Sequence, residues 1–125
     1  TLLHPGDELT FYELDPDIRT IANQCFSFIQ QSSGKINIIL GDGRIEMEKH
    51  ATQEQPPRYD LIIIDAFSGD TIPPHLVTTE AMRLYQRLLA QDGLVVFHIT
   101  NTYLDIVPVT KALAEQAVFG YAVVR

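Results

Sequence analysis

An α/β fold with a mostly parallel sheet is predicted by three features of this chain. Short apolar runs alternate with helix-length amphipathic segments, in the order strand, helix, strand, helix, strand; that order builds right-handed crossovers between parallel strands. The run Leu61-Ile62-Ile63-Ile64 has no polar alternation and is mostly β-branched, the pattern of a strand buried on both faces. It ends on a carboxylate, Asp65. In open α/β sheets ligands sit just beyond the carboxyl ends of strands, so Asp65 is either a reacting group or a turn cap.

Taken in order, Leu9 to Leu14 reads as a strand entered from the turn His4-Pro5-Gly6-Asp7, with Glu13 near its carboxyl end. Asp15-Pro16-Asp17 starts a helix: Asp15 caps, Pro16 fits the first helical position, and Asp17 suits the positive helix end. Ile18, Ile21, Ala22, Cys25, Phe26 and Ile29 then recur at helical spacing as one apolar stripe. Cys25 is expected to be a packed thiol within that stripe. Ser32-Ser33-Gly34 ends the helix.

Ile36 to Leu40 is a second strand running into Gly41-Asp42-Gly43-Arg44. The two glycines allow a sharp turn or a close approach to a ligand. Arg44 to His50 fits a short helix, and 51–58 a polar loop. After Asp70, the prolines Pro73 and Pro74 exclude helix interior. Thr78 or Thr79 caps the next helix, with Ala81, Met82, Tyr85, Leu88 and Leu89 as its buried face. Asp92-Gly93 is expected to stop it. Leu94 to Ile99 is another buried strand, and His98 near its end either reaches a ligand or is a hydrogen-bonded core histidine. Asn101 to Asp105 is a loop. A last helix carries Ile106, Val109, Leu113, Ala114 and Ala117, with Pro108 in its first turn, and Phe119 to Arg125 reads as a final strand.

Size and composition narrow the function classes. The chain has 125 residues, of which 46% are hydrophobic, enough for one domain spanning 1–125. A net charge of −7 argues against a nucleic-acid partner and accommodates a cationic substrate. No apolar run approaches a membrane span, and Thr1 to Gly6 lacks the basic start of a signal peptide. One cysteine excludes an internal disulfide framework. The four histidines show no ligand spacing, so no metal site is expected.

Three segments in order, Phe11-Tyr12-Glu13-Leu14-Asp15-Pro16, Gly41-Asp42-Gly43-Arg44 and Tyr59 to Asp65, resemble the spermidine synthase family of polyamine aminopropyltransferases. The runs Asp65 to Asp70, Ile72-Pro73-Pro74-His75-Leu76 and Phe97-His98-Ile99-Thr100-Asn101 are similar to a bacterial spermidine-synthase-like branch, some members of which are fused to membrane segments. The resemblance implies a doubly wound, mostly parallel sheet of Rossmann or methyltransferase type. It also implies truncation at the amino terminus, with the first strand and its glycine-rich loop lying before residue 1.

By the same resemblance, Glu13 would bind the ribose hydroxyls of a sulfonium nucleoside, and Asp42 the adenine amino group with the Gly43 backbone beside the ring. Asp65 would be the catalytic carboxylate, and Asp70 would hold the amine substrate. The family's second aspartate lies nearer the first than Asp70 lies to Asp65, so the acceptor need not be a simple diamine. The implied co-substrate is decarboxylated S-adenosylmethionine, or S-adenosylmethionine itself, with no tightly bound cofactor. The implied activity is aminopropyl transfer to a polyamine-type amine, with the fragment alone expected to be inactive. The alternatives are a methyltransferase and a non-catalytic nucleoside-binding or interaction domain. Without its first strand the chain is expected to self-associate. The implied location is cytoplasmic, including as the cytosolic part of a membrane-tethered protein with its membrane domain elsewhere.

Overall fold

A computed structural model describes residues 3–66, 72–99 and 105–124. The chain divides into two compact units, 1–47 and 48–125.

In the first unit, strand β1 (Glu8–Glu13) leads into helix α1 (Pro16–Cys25) through the predicted start signal. Asp15 Oδ1 accepts the Asp17 backbone N–H at 2.8 Å, and Pro16 occupies the first turn. A single long helix was expected through Ile29. Instead the backbone becomes extended at Phe26, and a short helix α2 (Ser27–Gln30) follows. The break sets the Phe28 ring 6.0 Å from Phe26 and 6.5 Å from Phe11 of β1. Aromatic contacts at such separations are favourable and offset the lost helical continuity. Strand β2 (Lys35–Leu40) then pairs parallel with β1, placing Glu13 beside Leu40.

The stripe on α1 is where expectation and structure part. Ile18, Ile21 and Phe26 are exposed, Cys25 is exposed rather than packed, and no residue of α1 is buried. Two strands lie only about 5 Å apart, whereas a helix with its side chains is about 10 Å across. A two-stranded ribbon is too narrow to cover such a stripe.

Helix α3 (Gly43–Ala51) runs from the end of the first unit into the second. In the second unit, strand β3 (Tyr59–Ile64) pairs parallel with β4 (Leu89–Phe97). Between them a 3-10 turn (Pro74–Leu76) precedes helix α4 (Thr79–Leu88). Thr78 Oγ1 accepts the Ala81 N–H at 3.1 Å, which settles the cap between the two threonines. Ala81, Met82, Leu84, Tyr85 and Leu88 are buried along one side of α4, and Tyr85 donates its hydroxyl to the Leu76 carbonyl at 3.0 Å.

Asp92-Gly93 does not stop α4. The helix ends at Leu88, and β4 begins at once with the buried Leu89. The pairing jumps from Tyr59 opposite Leu89 to Leu61 opposite Leu94, so residues 90–93 form a bulge. A Cβ on Gly93 would lie 2.8 Å from the Tyr59 carbonyl oxygen. The glycine is required by that close approach, not by a helix terminus.

The expectation that β3 is buried on both faces also fails. Ile62 and Ile64 are buried, but Leu61 and Ile63 are exposed, Ile63 to 57%. Register partners in a parallel pair share a face, so Ile64 lies on the same side as Phe97, whose ring meets Tyr85 of α4 at 6.3 Å. Helix α4 thus packs on one face of the pair. Leu61, Ile63, Leu94 and Val96 line the other face, all exposed. An all-apolar strand records what its faces can tolerate, while the layers actually present decide which face is dry.

Helix α5 (Val107–Gln116) closes the second unit, with Pro108 in its first turn and Leu113 and Ala114 buried. The segment 119–124 forms no strand, contrary to expectation. Among the described residues no helix is long and apolar enough to cross a membrane.

Candidate functional site

Parallel pairing brings the ends of neighbouring strands to a common rim, and each unit has one. In the first unit, β1 and β2 end together, and the Gly41 N–H donates to the Glu13 carbonyl at 2.9 Å. This tie sets Glu13 beside the Gly41-Asp42-Gly43 turn. The Glu13 side chain is half-buried and accepts the Asp15 backbone N–H at 2.9 Å.

Asp42 caps α3. Its Oδ1 accepts the N–H groups of Arg44 at 3.0 Å and Ile45 at 3.1 Å, and its carbonyl accepts Glu46 N–H at 2.9 Å. Gly41 has φ +145°, and a Cβ there would lie 2.7 Å from the Glu46 carboxylate. Asp42 therefore does the work of a helix cap. Gly43 follows it as the first residue of α3, where a Cβ would sit 3.4 Å from the Tyr12 Cβ. Glu13, Asp42 and Gly43 lie at the rim of the first unit, and Asp65 lies in the second.

In the second unit the rim carries a pair that sequence reasoning did not join. β3 and β4 end in register at Ile64 and Phe97, and the His98 N–H continues the ladder by donating to the Ile64 carbonyl at 3.0 Å. Asp65 and His98 are thereby the first residues past the two strand ends. His98 Nδ1 lies 2.6 Å from Asp65 Oδ1, with the side chains 54% and 59% exposed. The pairing confirms hydrogen bonding for His98 but not a core location. The signal was present in two parallel apolar runs, each followed by a polar residue, but the register that sets those residues side by side is a tertiary fact.

Asp70, expected to hold substrate, lies outside the described residues, as does most of the 101–105 loop. Among the described residues no group of three or more His, Cys, Asp or Glu side chains forms a metal cluster. A separate polar contact on the first unit joins Lys35 Nζ and Asn37 Nδ2 to Glu8 Oε1 at 2.8 and 2.6 Å. The Lys35 bond, followed by that of Asn37, holds the exposed Glu8 carboxyl below its usual range.

Comparison with known proteins adds chemistry to this geometry. The chain is 33% identical over 100 residues to a polyamine aminopropyltransferase of Vibrio vulnificus, covering 80% of this chain and 32% of that protein. It is 30% identical over 94 residues to an N-terminal histidine N-methyltransferase of Emericella nidulans, covering 75% of this chain and 16% of the relative. It is 28% identical over 101 residues to an eEF1A lysine and N-terminal methyltransferase of Mus musculus, covering 76% and 14%. The chain thus spans a third or less of the length of these curated relatives. No protein-family model matches it, and no solved structure does.

Proposed function

We propose that this chain, which belongs among the spermidine-synthase-like proteins of S-adenosylmethionine-dependent methyltransferase type, is the nucleoside-binding part of a group-transfer enzyme. The reaction is aminopropyl transfer from decarboxylated S-adenosylmethionine to a polyamine-type amine. The observation that carries the reading is the place of Asp65, half-exposed just past the end of a strand in a parallel pair, where α/β sheets present reacting groups. The relatives, all transferases by name, support the class. The finer architecture in this reading is a doubly wound sheet of Rossmann type.

The chemistry gives each residue a task. A neutral amine attacks the carbon beside the sulfonium; the new C–N bond forms as the C–S bond breaks, and the sulfur leaves as a thioether. Positive charge grows on the attacking nitrogen, and the carboxylate of Asp65 stabilises it and accepts a proton. Glu13 accepts from the ribose hydroxyls, as a carboxylate at a strand end does in nucleotide sites. Asp42 and Gly43 border the adenine. The cap bonds fix the Asp42 carboxylate.

A second reading, transfer of a methyl group from S-adenosylmethionine, is favoured by the two methyltransferase relatives. The products separate the two. The protein as encoded in full is incubated with each sulfonium donor and a panel of amines. Methylthioadenosine marks aminopropyl transfer, and S-adenosylhomocysteine marks methyl transfer. Asp65→Asn should lower kcat by roughly 10²–10⁴-fold, the range for removing a proton acceptor, with nucleoside binding retained. Unchanged turnover in that variant removes Asp65 from catalysis, and release of neither product by the parent protein removes both readings.

A further inference from the structure

The Asp65–His98 contact calls for a role of its own. A carboxylate only accepts hydrogen bonds, so the hydrogen in the 2.6 Å contact sits on His98 Nδ1. The distance is short for N–H···O and falls below the usual range even for charge-assisted bonds. Both side chains are more than half exposed, so burial does not force the contact. What holds it is the backbone: the His98 N–H to Ile64 carbonyl bond at 3.0 Å extends the β3–β4 ladder one step past both strands. The aspartate is therefore gripped from the adjacent strand.

We propose that His98 is the positioning residue for Asp65. Its Nδ1–H engages Oδ1 and fixes the plane of the carboxylate, so that the second oxygen takes the proton of the attacking amine. This rests on the proposed group transfer, in which the amine's proton passes to Asp65 as the C–N bond forms and the C–S bond breaks. No proton leaves through the imidazole. The role of His98 is to remove the rotational freedom of a surface carboxylate, and misplacement of a reacting group by about an ångström costs on the order of 10²-fold in rate.

The test uses the protein as encoded in full, with two variants and two readouts. His98→Ala is expected to lower kcat about 10- to 100-fold, with KM for the sulfonium donor within about twofold. His98→Asn places an amide N–H where Nδ1 lies and should recover most of the lost rate. Wild-type kcat in His98→Ala overturns the proposal. So does His98→Asn as slow as His98→Ala, which would make the imidazole itself the proton acceptor. Nitrogen NMR of the His98 ring reads the pairing without turnover: Nδ1 should carry the hydrogen in the parent protein and lose that preference in Asp65→Ala. An Nδ1 without hydrogen in the parent, or a ring signal indifferent to Asp65→Ala, overturns the proposal even if group transfer is confirmed. Absence of group transfer with the NMR signature intact instead fails the functional reading and leaves the pairing established.

Discussion

The two units are built from the same local grammar and reach different ends. Each has a parallel strand pair, a helix opened by a side-chain cap, and an apolar helical stripe. In the second unit the stripe on α4 is dry, with Tyr85 and Leu88 at 0% exposure. In the first, α1 buries nothing, and Ile18 and Ile21 are nearly half exposed. Among the first unit's described residues, Met47, its last, is the one that is buried. The difference teaches that periodicity marks which side of a helix is apolar, and a second layer wide enough to cover it is a separate requirement.

The sharpest way to break this contrast is to shave both stripes. Leu88→Ala should destabilise the second unit by about 2–5 kcal/mol, the usual cost of emptying a full core position. Ile18→Ala should change the first by no more than about 0.5 kcal/mol, as at other exposed sites. Denaturant titration with hydrogen exchange reads the two units separately. Equal losses at both positions would mean that α1 is covered in solution.

Tyr85→Phe sharpens the picture of the second core. It removes the hydroxyl that bonds the Leu76 carbonyl and leaves a buried acceptor unmatched. A loss of about 1–2 kcal/mol is expected, read in the same titration. No loss would mean that water replaces the hydroxyl and that this core is wetter than its burial implies.

The smallest effect belongs to the first unit's surface. Glu8 has its pKa lowered by Lys35 and then Asn37. A group with a depressed folded pKa contributes stability above its unfolded value, 4.5, and loses it as pH falls through the folded one. The contribution is small because the pair is exposed. Glu8→Gln should flatten the acid limb of the first unit's stability below about pH 4.5 and leave the second unit's unchanged. An acid limb that persists in the variant would place the titrating group elsewhere.

The cap signals were legible in the sequence because they are local. Asp15 and Thr78 bond N–H groups two and three residues on, and no distant contact is needed to form them. The places of Glu13 at the end of β1, of Asp42 and Gly43 past β2 and of Asp65 past β3 were legible for a related reason: the end of a strand can be read from where the apolar run stops. Asp42 illustrates the limit, since the same turn chemistry that suggests a ligand also caps α3.

By itself, then, the sequence determined the α/β alternation, the helix starts, the apolar faces and the acidic strand ends, all properties of residues a few positions apart. Only the tertiary structure decided that Phe26 breaks the first helix, that Gly93 lies in a bulge against Tyr59, that one face of β3 is exposed, and that His98 grips Asp65. Each of these depends on which strand lies beside which, in what register, and under what cover. That choice is made by the summed packing of distant segments, and no short window of sequence contains it.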